Sequence, residues 1–513
     1  MTARIFVVFA FALHAQNGSQ LLEWSPPSDD PAVKPKLGCA DLRALTGHEF
    51  TVATAVTIPP AGDVPEHCRI SGLIQPEIQF EVNLPATWNR RFYMFGNGGY
   101  AGENLQAPNR ANSRGRALRH GFAVAQHNTG HNGAKEPLAS FAVHRQKLYD
   151  YAFRGLHVTA DSARKLISAY YGAGPARSYF DGCSTGGRQG LILAQRFPQD
   201  FDGIVVGAPV CNFTGTMINY AWVAQALAAA PIPSIKLNIL AEKVYAVCDP
   251  VDGVTDGLID DPRKCAFDPA RNLPRCEAGD QPGCFTAPQI EALRKIYAGP
   301  TGGAKRLFPP WPLGAEALAA NGRSAWDPWI VRDGQPTVGY TFGETFYRYM
   351  AFPDSDVNYD LKKFDFDKDP LRMDTIRQVL DAVDPDLTRF RERGGRIVMY
   401  YGWADQALNA LMGVDYYESV RERMGDSTAG FFRLFMVPGM FHCTGGVGTS
   451  TFDALTPLIR WVEQGTAPDR LPAARVVSGK VVRSRPLCPY PQVAKYKGSG
   501  SLDDAVSFSC AAP

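Results

Sequence analysis

SYFDGCSTGG, Ser178 to Gly187, is the stretch on which the fold turns. An aromatic, strand-forming run enters Gly182-Cys183-Ser184-Thr185-Gly186, a G-x-S-x-G pentapeptide, and a helical pattern continues from Gly187 to Arg196. Small residues are needed on both sides of such a serine because it sits on a strained strand-to-helix turn that pushes its hydroxyl into the open. Any glycine-rich turn can match the pentapeptide by chance. The strand before and the helix after it are what single out Ser184 as a candidate nucleophile.

Five further runs read the same way: RFYMFGNGG (Arg91 to Gly99), FAVAQHN (Phe122 to Asn128), FDGIVVGAP (Phe201 to Pro209), RIVMYYGWAD (Arg396 to Asp405) and FRLFMVPGMFHC (Phe432 to Cys443). These are short β-rich segments that run out into Gly, Ser, Asp or His, as strands do when they deliver side chains to the edge of a mostly parallel sheet. Helical stretches such as Tyr149 to Tyr171 lie between them, so the expected class is α/β, a mostly parallel sheet with ligands at the carboxyl ends of its strands. From about Cys211 to Asp384 the alternation stops and Pro, Gly, Trp and Tyr dominate. This reads as an insertion over the top of one core. The expected division is a first core part at 16–210, a lid at 211–390 and a second core part at 391–513. The tail from Val476 is expected to be extended, with Cys488 and Cys510 stapling its end.

A serine hydroxyl attacks only when a base takes its proton, and that base is oriented by a carboxylate. Of nine histidines only His442 follows Ser184. It comes after the run FRLFMV on a Pro-Gly turn, and Asp405 follows the run RIVMYY, so both fall where loops leave strands. Asp405 could instead cap a helix, and Asp415 is a competing acid inside an expected helix. Acyl transfer also needs two backbone N–H groups for the oxyanion. Thr185 is expected to supply one, and Gly99, with Gly98 as second choice, the other. A phosphate-cradling role for these glycines lacks the Lys-Ser/Thr that such loops carry.

Composition bounds the rest. The chain has 513 residues, 45% hydrophobic and 20% charged, with a formal net charge of +2, which points to neither nucleic acid nor an anionic membrane as partner. Residues 1–15, with Arg4 and an apolar stretch from Ile5 to Leu13, read as a secretory signal and predict a secreted or periplasmic protein. Eleven cysteines agree with an oxidising compartment, and their odd number leaves at least one thiol unpaired within the chain. No C-x-x-C pair with zinc spacing is present. Cys183 precedes the candidate nucleophile and Cys443 follows the candidate base, so if Ser184 meets His442, their neighbours come within disulfide reach.

The Cys183-Ser184 pair, the later Asp405 and the His442-Cys443 pair resemble the tannase and feruloyl esterase family, and the likeness extends over nearly the whole chain, insert included. The resemblance implies an α/β-hydrolase core, a large inserted lid domain, and hydrolysis of small aromatic esters. Hydroxycinnamoyl (feruloyl) esters are favoured over gallate esters and terephthalate monoesters, although no residue separates the three. Among aromatic residues of the insert, Trp326, Trp329, Tyr340, Phe342, Phe346 and Tyr347 are each candidates for core or for pocket. The insert also packs five aspartates into thirteen residues, Asp249 to Asp261. This loop resembles the family's calcium loop, which implies the carboxylates of Asp249, Asp252 and Asp256 and the carbonyls of Val254 and Leu258 as ligands of a structural Ca2+; solvated Asp-Gly turns are the alternative. Cys248 and Cys265 bracket the loop and are expected to pair, as are Cys276 with Cys284, Cys39 with Cys68, and Cys488 with Cys510. Cys211 is left over as a buried thiol. A monomer or homodimer is expected.

Overall fold

The computed structural model describes residues 31–354 and 356–513, so the expected signal segment lies outside the described residues. In chain order the strands are β1 (Thr51–Ile58), β2 (His67–Ile74), β3 (Ile78–Pro85), β4 (Arg91–Phe95), β5 (Ala123–His127), β6 (Arg177–Cys183) and β7 (Gly203–Gly207), a two-residue ribbon of β8 (Thr301–Gly302) and β9 (Lys305–Arg306), then β10 (Arg396–Gly402) and β11 (Phe432–Val437). Nine of them form one sheet in the order β1-β2-β3-β5-β4-β6-β7-β10-β11. The meander β1 to β3 joins β5 antiparallel. From β5 onward every pairing is parallel.

The parallel strands are buried on both faces, which is why they read as continuous apolar runs. Phe92, Met94, Ile397, Met399 and Tyr401 point into one core, and Tyr93, Phe95, Val398 and Tyr400 into the other. The helices Gly155–Tyr171 and Thr185–Arg196 cover the first face, and Leu455–Gln464 covers the second with Leu455, Leu458 and Trp461. The result is an α/β-hydrolase arrangement of helices on both sides of a mostly parallel sheet. Every loop that carries a candidate triad or oxyanion residue leaves a carboxyl end: β4 runs into Gly96–Gly99, β6 into Ser184, β10 into Asp405 and β11 into His442.

Between β7 and β10 the chain is largely helical, with Phe213–Ala229, Leu237–Cys248, Ala287–Ala298 and Val338–Tyr349 as its longer helices. Leu237, Leu240, Val244, Phe285, Leu293 and Trp326 gather in an apolar cluster of their own. The helix Phe213–Ala229 explains why this region shows no periodicity in sequence. Phe213, Met217, Ile218 and Ala221 face the main core while Val223 and Ala226 face the insert's cluster, so no polar stripe remains. Leu361, Leu380 and Leu387 return to the main core before β10 begins. The tail is a hairpin, Leu471–Val477 with Lys480–Leu487, followed by a two-stranded ribbon rather than one extended run. Among the described residues no single helix is long and apolar enough to cross a membrane.

Candidate active site

Ser184 stands between β6 and the helix Thr185–Arg196 with φ of 65° and ψ of −122°, a left-handed conformation that costs a non-glycine residue free energy. The flanking glycines are there because the turn is too tight for a side chain. A Cβ on Gly182 would lie 2.5 Å from the Gly186 backbone. The turn is held by Ser184 N–H donating to Gly207 O (3.0 Å) and Arg188 N–H donating to Ser184 O (3.0 Å).

Cys183 is bridged to Cys443 across a sequence separation of 260, with the Cα atoms 6.0 Å apart. Cys443, like Ser184, has a positive φ, here 63°. The bridge joins the neighbour of the candidate nucleophile to the neighbour of the candidate base, and Ser184 and His442 line the same cavity. His442 Nδ1 lies 2.8 Å from Asp405 Oδ2. The other carboxylate oxygen, Asp405 Oδ1, accepts the N–H groups of Ala407 (2.9 Å) and Leu408 (2.8 Å). Asp405 is buried, and its two oxygens are thereby assigned different tasks. Gln406 Oε1 accepts the His442 N–H (3.1 Å), fixing the loop that carries the ring. Asp415 sits exposed on the helix Ala410–Met424, away from this arrangement.

Thr185 opens a helix, so its N–H has no partner within that helix. Its hydroxyl donates to Gly99 O (2.6 Å), which ties the Ser184 turn to the Gly96–Gly99 loop. Gly99 has φ of +51° and takes Phe342 against its open face. The two glycines considered for the oxyanion differ: Gly98 N–H donates to Glu103 Oε1 (3.0 Å), whereas Gly99 N–H has no acceptor among the described residues. Gly99 is therefore the better placed donor.

The cavity above Ser184 measures about 330 Å³. Its lining combines apolar side chains, Phe213, Met217, Trp329, Phe342 and Leu408, with polar ones, Asn97, Glu103, Asn109, Arg110 and Tyr220. Trp329 meets the His442 ring edge-on at 6.2 Å and stacks with Phe342 at 6.2 Å. Of the six aromatic residues considered from sequence, Trp329 and Phe342 line the cavity. Trp326, Phe346 and Tyr347 are fully buried in core clusters, and Tyr340 bonds Glu344. The sequence reading missed Phe213, Met217 and Tyr220, which come from the first helix after β7; their one signal is that they directly follow a strand end. It also missed Glu103, which lines the cavity and holds the Gly96–Gly99 loop, and Gln189 and Gln406, which accept backbone N–H groups of the site's loops.

The remaining cysteines pair as Cys39–Cys68, Cys248–Cys265, Cys276–Cys284 and Cys488–Cys510, and Cys211 is free and buried. Burial pushes the Cys211 thiol up to about 12, so it stays protonated. In the aspartate loop all candidate donors are oxygens, the chemistry a hard cation takes. Asp249 accepts the N–H groups of Asp256 and Gly257, Asp252 that of Val254 and Asp256 that of Leu258, while Arg485 engages Asp256. Burial and the nearby Asp252 and Asp256 push Asp260 up to about 8. Among the described residues no three carboxylate, His or Cys side chains converge as metal ligands, so the loop offers donors of the type a hard cation takes but no preformed cage.

The sheet, the elbow serine and the residues at the strand ends define an α/β hydrolase. The model of the family "Tannase and feruloyl esterase" matches residues 63–511, and the chain belongs to that family, which makes it a carboxylic ester hydrolase. It is 35% identical to a mono(2-hydroxyethyl) terephthalate hydrolase of Piscinibacter sakaiensis, over 88% of this chain and 86% of the relative. It is 31% identical to a probable feruloyl esterase B-2 of Aspergillus terreus, over 86% of each. The crystal structure of feruloyl esterase B from Aspergillus oryzae superimposes with a TM-score of 0.80 at 26% identity, covering 92% of this chain and 99% of that one.

Proposed function

We propose that the protein is a secreted serine esterase that hydrolyses hydroxycinnamoyl esters such as ferulates through an acyl-enzyme. In this reading His442 takes the proton of Ser184 as the hydroxyl oxygen attacks the ester carbonyl. The N–H groups of Thr185 and Gly99 hold the oxyanion, and His442 returns the proton to the departing alcohol. Water then attacks the acyl-enzyme, losing its proton to His442, which passes that proton to the Ser184 oxygen as its bond to the acyl carbon breaks and the acid is released. Asp405 holds the imidazole in the tautomer whose Nε2 is free to accept.

The observation that carries the choice of acyl group is the polarity of the cavity. Apart from His442, Arg110 is the one cationic side chain among the described lining residues, and it is already paired with Glu103 at 2.8 Å. A terephthalate monoester would bury its free carboxylate without a partner there. A galloyl ring would bring three hydroxyls, to which Phe213, Met217, Trp329, Phe342 and Leu408 of the lining offer no partner. A buried polar group without a partner costs about 1–3 kcal/mol, more when it is charged. A feruloyl ring, with one phenol and one methoxy group, fits this lining at the least cost. Comparing kcat/KM for methyl ferulate, methyl gallate and mono(2-hydroxyethyl) terephthalate tests this: ferulate is expected to lead, and a lead for the terephthalate ester would overturn the assignment.

Five disulfides support an oxidising compartment, in keeping with secretion. We also propose a structural Ca2+ at the loop of Asp249, Asp252, Val254, Asp256 and Leu258, on the donor chemistry given above. When bound it would neutralise the clustered carboxylates and take no part in the ester chemistry.

A further inference from the structure

The Gly96–Gly99 loop spends nearly every polar group it has. Gly96 N–H donates to Asp181 O (2.9 Å), and Gly96 O accepts from Arg110 (3.0 Å). Asn97 N–H donates to Gln189 Oε1 (2.9 Å), and its side-chain amide donates to His127 O (2.8 Å) and Glu103 Oε2 (2.5 Å). Gly98 N–H donates to Glu103 Oε1 (3.0 Å), and Gly98 O accepts from Ala101 N–H (2.8 Å). Gly99 O accepts the hydroxyls of Thr185 (2.6 Å) and Tyr151 (3.0 Å). Among the described residues, Gly99 N–H is the loop's one backbone donor without an acceptor.

Among the described residues, Glu103 is the single side chain that takes two donors from this loop, one on each carboxylate oxygen. Its own place is set by Arg110, which is buried at 4% exposure and donates from the same NH1 to Glu103 Oε2 (2.8 Å) and Gly96 O. We propose that Glu103, clamped by Arg110, is a positioning residue for the oxyanion loop. By consuming the Gly98 N–H and the Asn97 amide it fixes the peptide orientation in which Gly99 N–H is the donor left at the cavity wall. Without it, Gly98 and Gly99 present two competing N–H groups on a glycine-rich, easily rotated segment. Catalysis then loses the preorganisation on which an oxyanion site depends.

This inference rests on the esterase reading but not on the identity of the acyl group, so p-nitrophenyl acetate is the substrate of choice. In the full-length Glu103→Ala variant kcat/KM is expected to fall roughly 30- to 300-fold, somewhat less than outright removal of an oxyanion donor, and through kcat rather than KM. Affinity for phenylboronate, which forms a tetrahedral adduct on the serine, should fall by the same factor. Affinity for benzoate, its trigonal counterpart, should stay within about threefold. Glu103→Gln keeps an oxygen for Gly98 N–H and is expected to stay within about tenfold of the parent kcat. Wild-type kcat/KM in Glu103→Ala would overturn the proposal, and so would equal losses for phenylboronate and benzoate, which mark a site that has merely collapsed. A parent protein inert toward p-nitrophenyl acetate would remove the esterase reading and this inference with it, before any variant is made.

Discussion

Replacing Asp405 by Asn isolates what the carboxylate does. The two oxygens of Asp405 are not equivalent: Oδ1 takes the N–H groups of Ala407 and Leu408, and Oδ2 faces His442 Nδ1. An asparagine in the same place keeps its oxygen on the two N–H groups and turns its NH2 toward Nδ1. Nδ1 must then accept, which moves the imidazole proton to Nε2, and a protonated Nε2 cannot take the proton of Ser184. The alternative is to flip the amide and leave two buried N–H groups without an acceptor. At about 1–3 kcal/mol each that flip costs about 2–6 kcal/mol, or roughly 30- to 20,000-fold at 1.36 kcal/mol per decade. Loss of kcat on p-nitrophenyl acetate is therefore expected between about 30-fold and the roughly 10⁴-fold of a triad locked in the wrong tautomer, with KM little changed. A loss of less than about tenfold in kcat would refute the claim that the two N–H groups dictate the tautomer.

Three further outcomes are expected. Removing the Cys183–Cys443 bridge, which spans a separation of 260, forfeits up to about 5.5 kcal/mol on the chain-entropy estimate, against about 2.5 for Cys276–Cys284 with its separation of 8. Paired Cys→Ala variants should accordingly rank in that order by calorimetry, and the reverse order would contradict it. Glu316 is fully buried and its carboxyl is pushed up to about 7 by burial, so the folded state holds a proton that the unfolded chain releases near pH 4.5. That contribution to stability is complete below about pH 4.5 and lost as pH rises through about 7. The melting temperature of Glu316→Gln relative to the parent should therefore climb between these values, and a flat difference would refute it. Dialysis against a calcium chelator should lower the melting temperature, and added Ca2+ but not Mg2+ should restore it; no change on chelation would dispose of the calcium proposal.

Much of the site could be read from sequence because its parts sit where strands end. Gly182 and Gly186 announce a turn too tight for side chains, Asp405 and His442 each follow an apolar run, and Cys183 and Cys443 mark two segments that must meet. In β2, Gly72 and polar positions such as Arg69 and Ser71 break the apolar pattern, whereas Ile78, Phe80, Val82 and Leu84 of β3 alternate strictly with polar residues, a strand signal that the reading passed over. The apolar lining of the cavity was hidden for the opposite reason. Phe213, Met217 and Tyr220 lie on a helix buried on nearly every side, polar Thr214, Thr216 and Asn219 included, so nothing in its pattern marks the residues of the main core that also reach the cavity. Trp326 and Trp329 are three residues apart in one sequence neighbourhood, yet one is core and the other pocket, a difference decided by the turn between them. Glu103 carries no motif at all; its role appears only when the hydrogen bonds of Gly96–Gly99 are counted.

The central claim, that Ser184 is the nucleophile of an ester hydrolase, is tested most directly by intact-protein mass spectrometry after exposure to a fluorophosphonate, with the modified peptide sequenced. The account predicts one phosphonyl group per chain, carried on Ser184, with esterase activity lost in parallel and no adduct formed in Ser184→Ala. An active protein that takes up no phosphonyl group, or one whose adduct lies on another residue while Ser184→Ala still turns over ester, would contradict it.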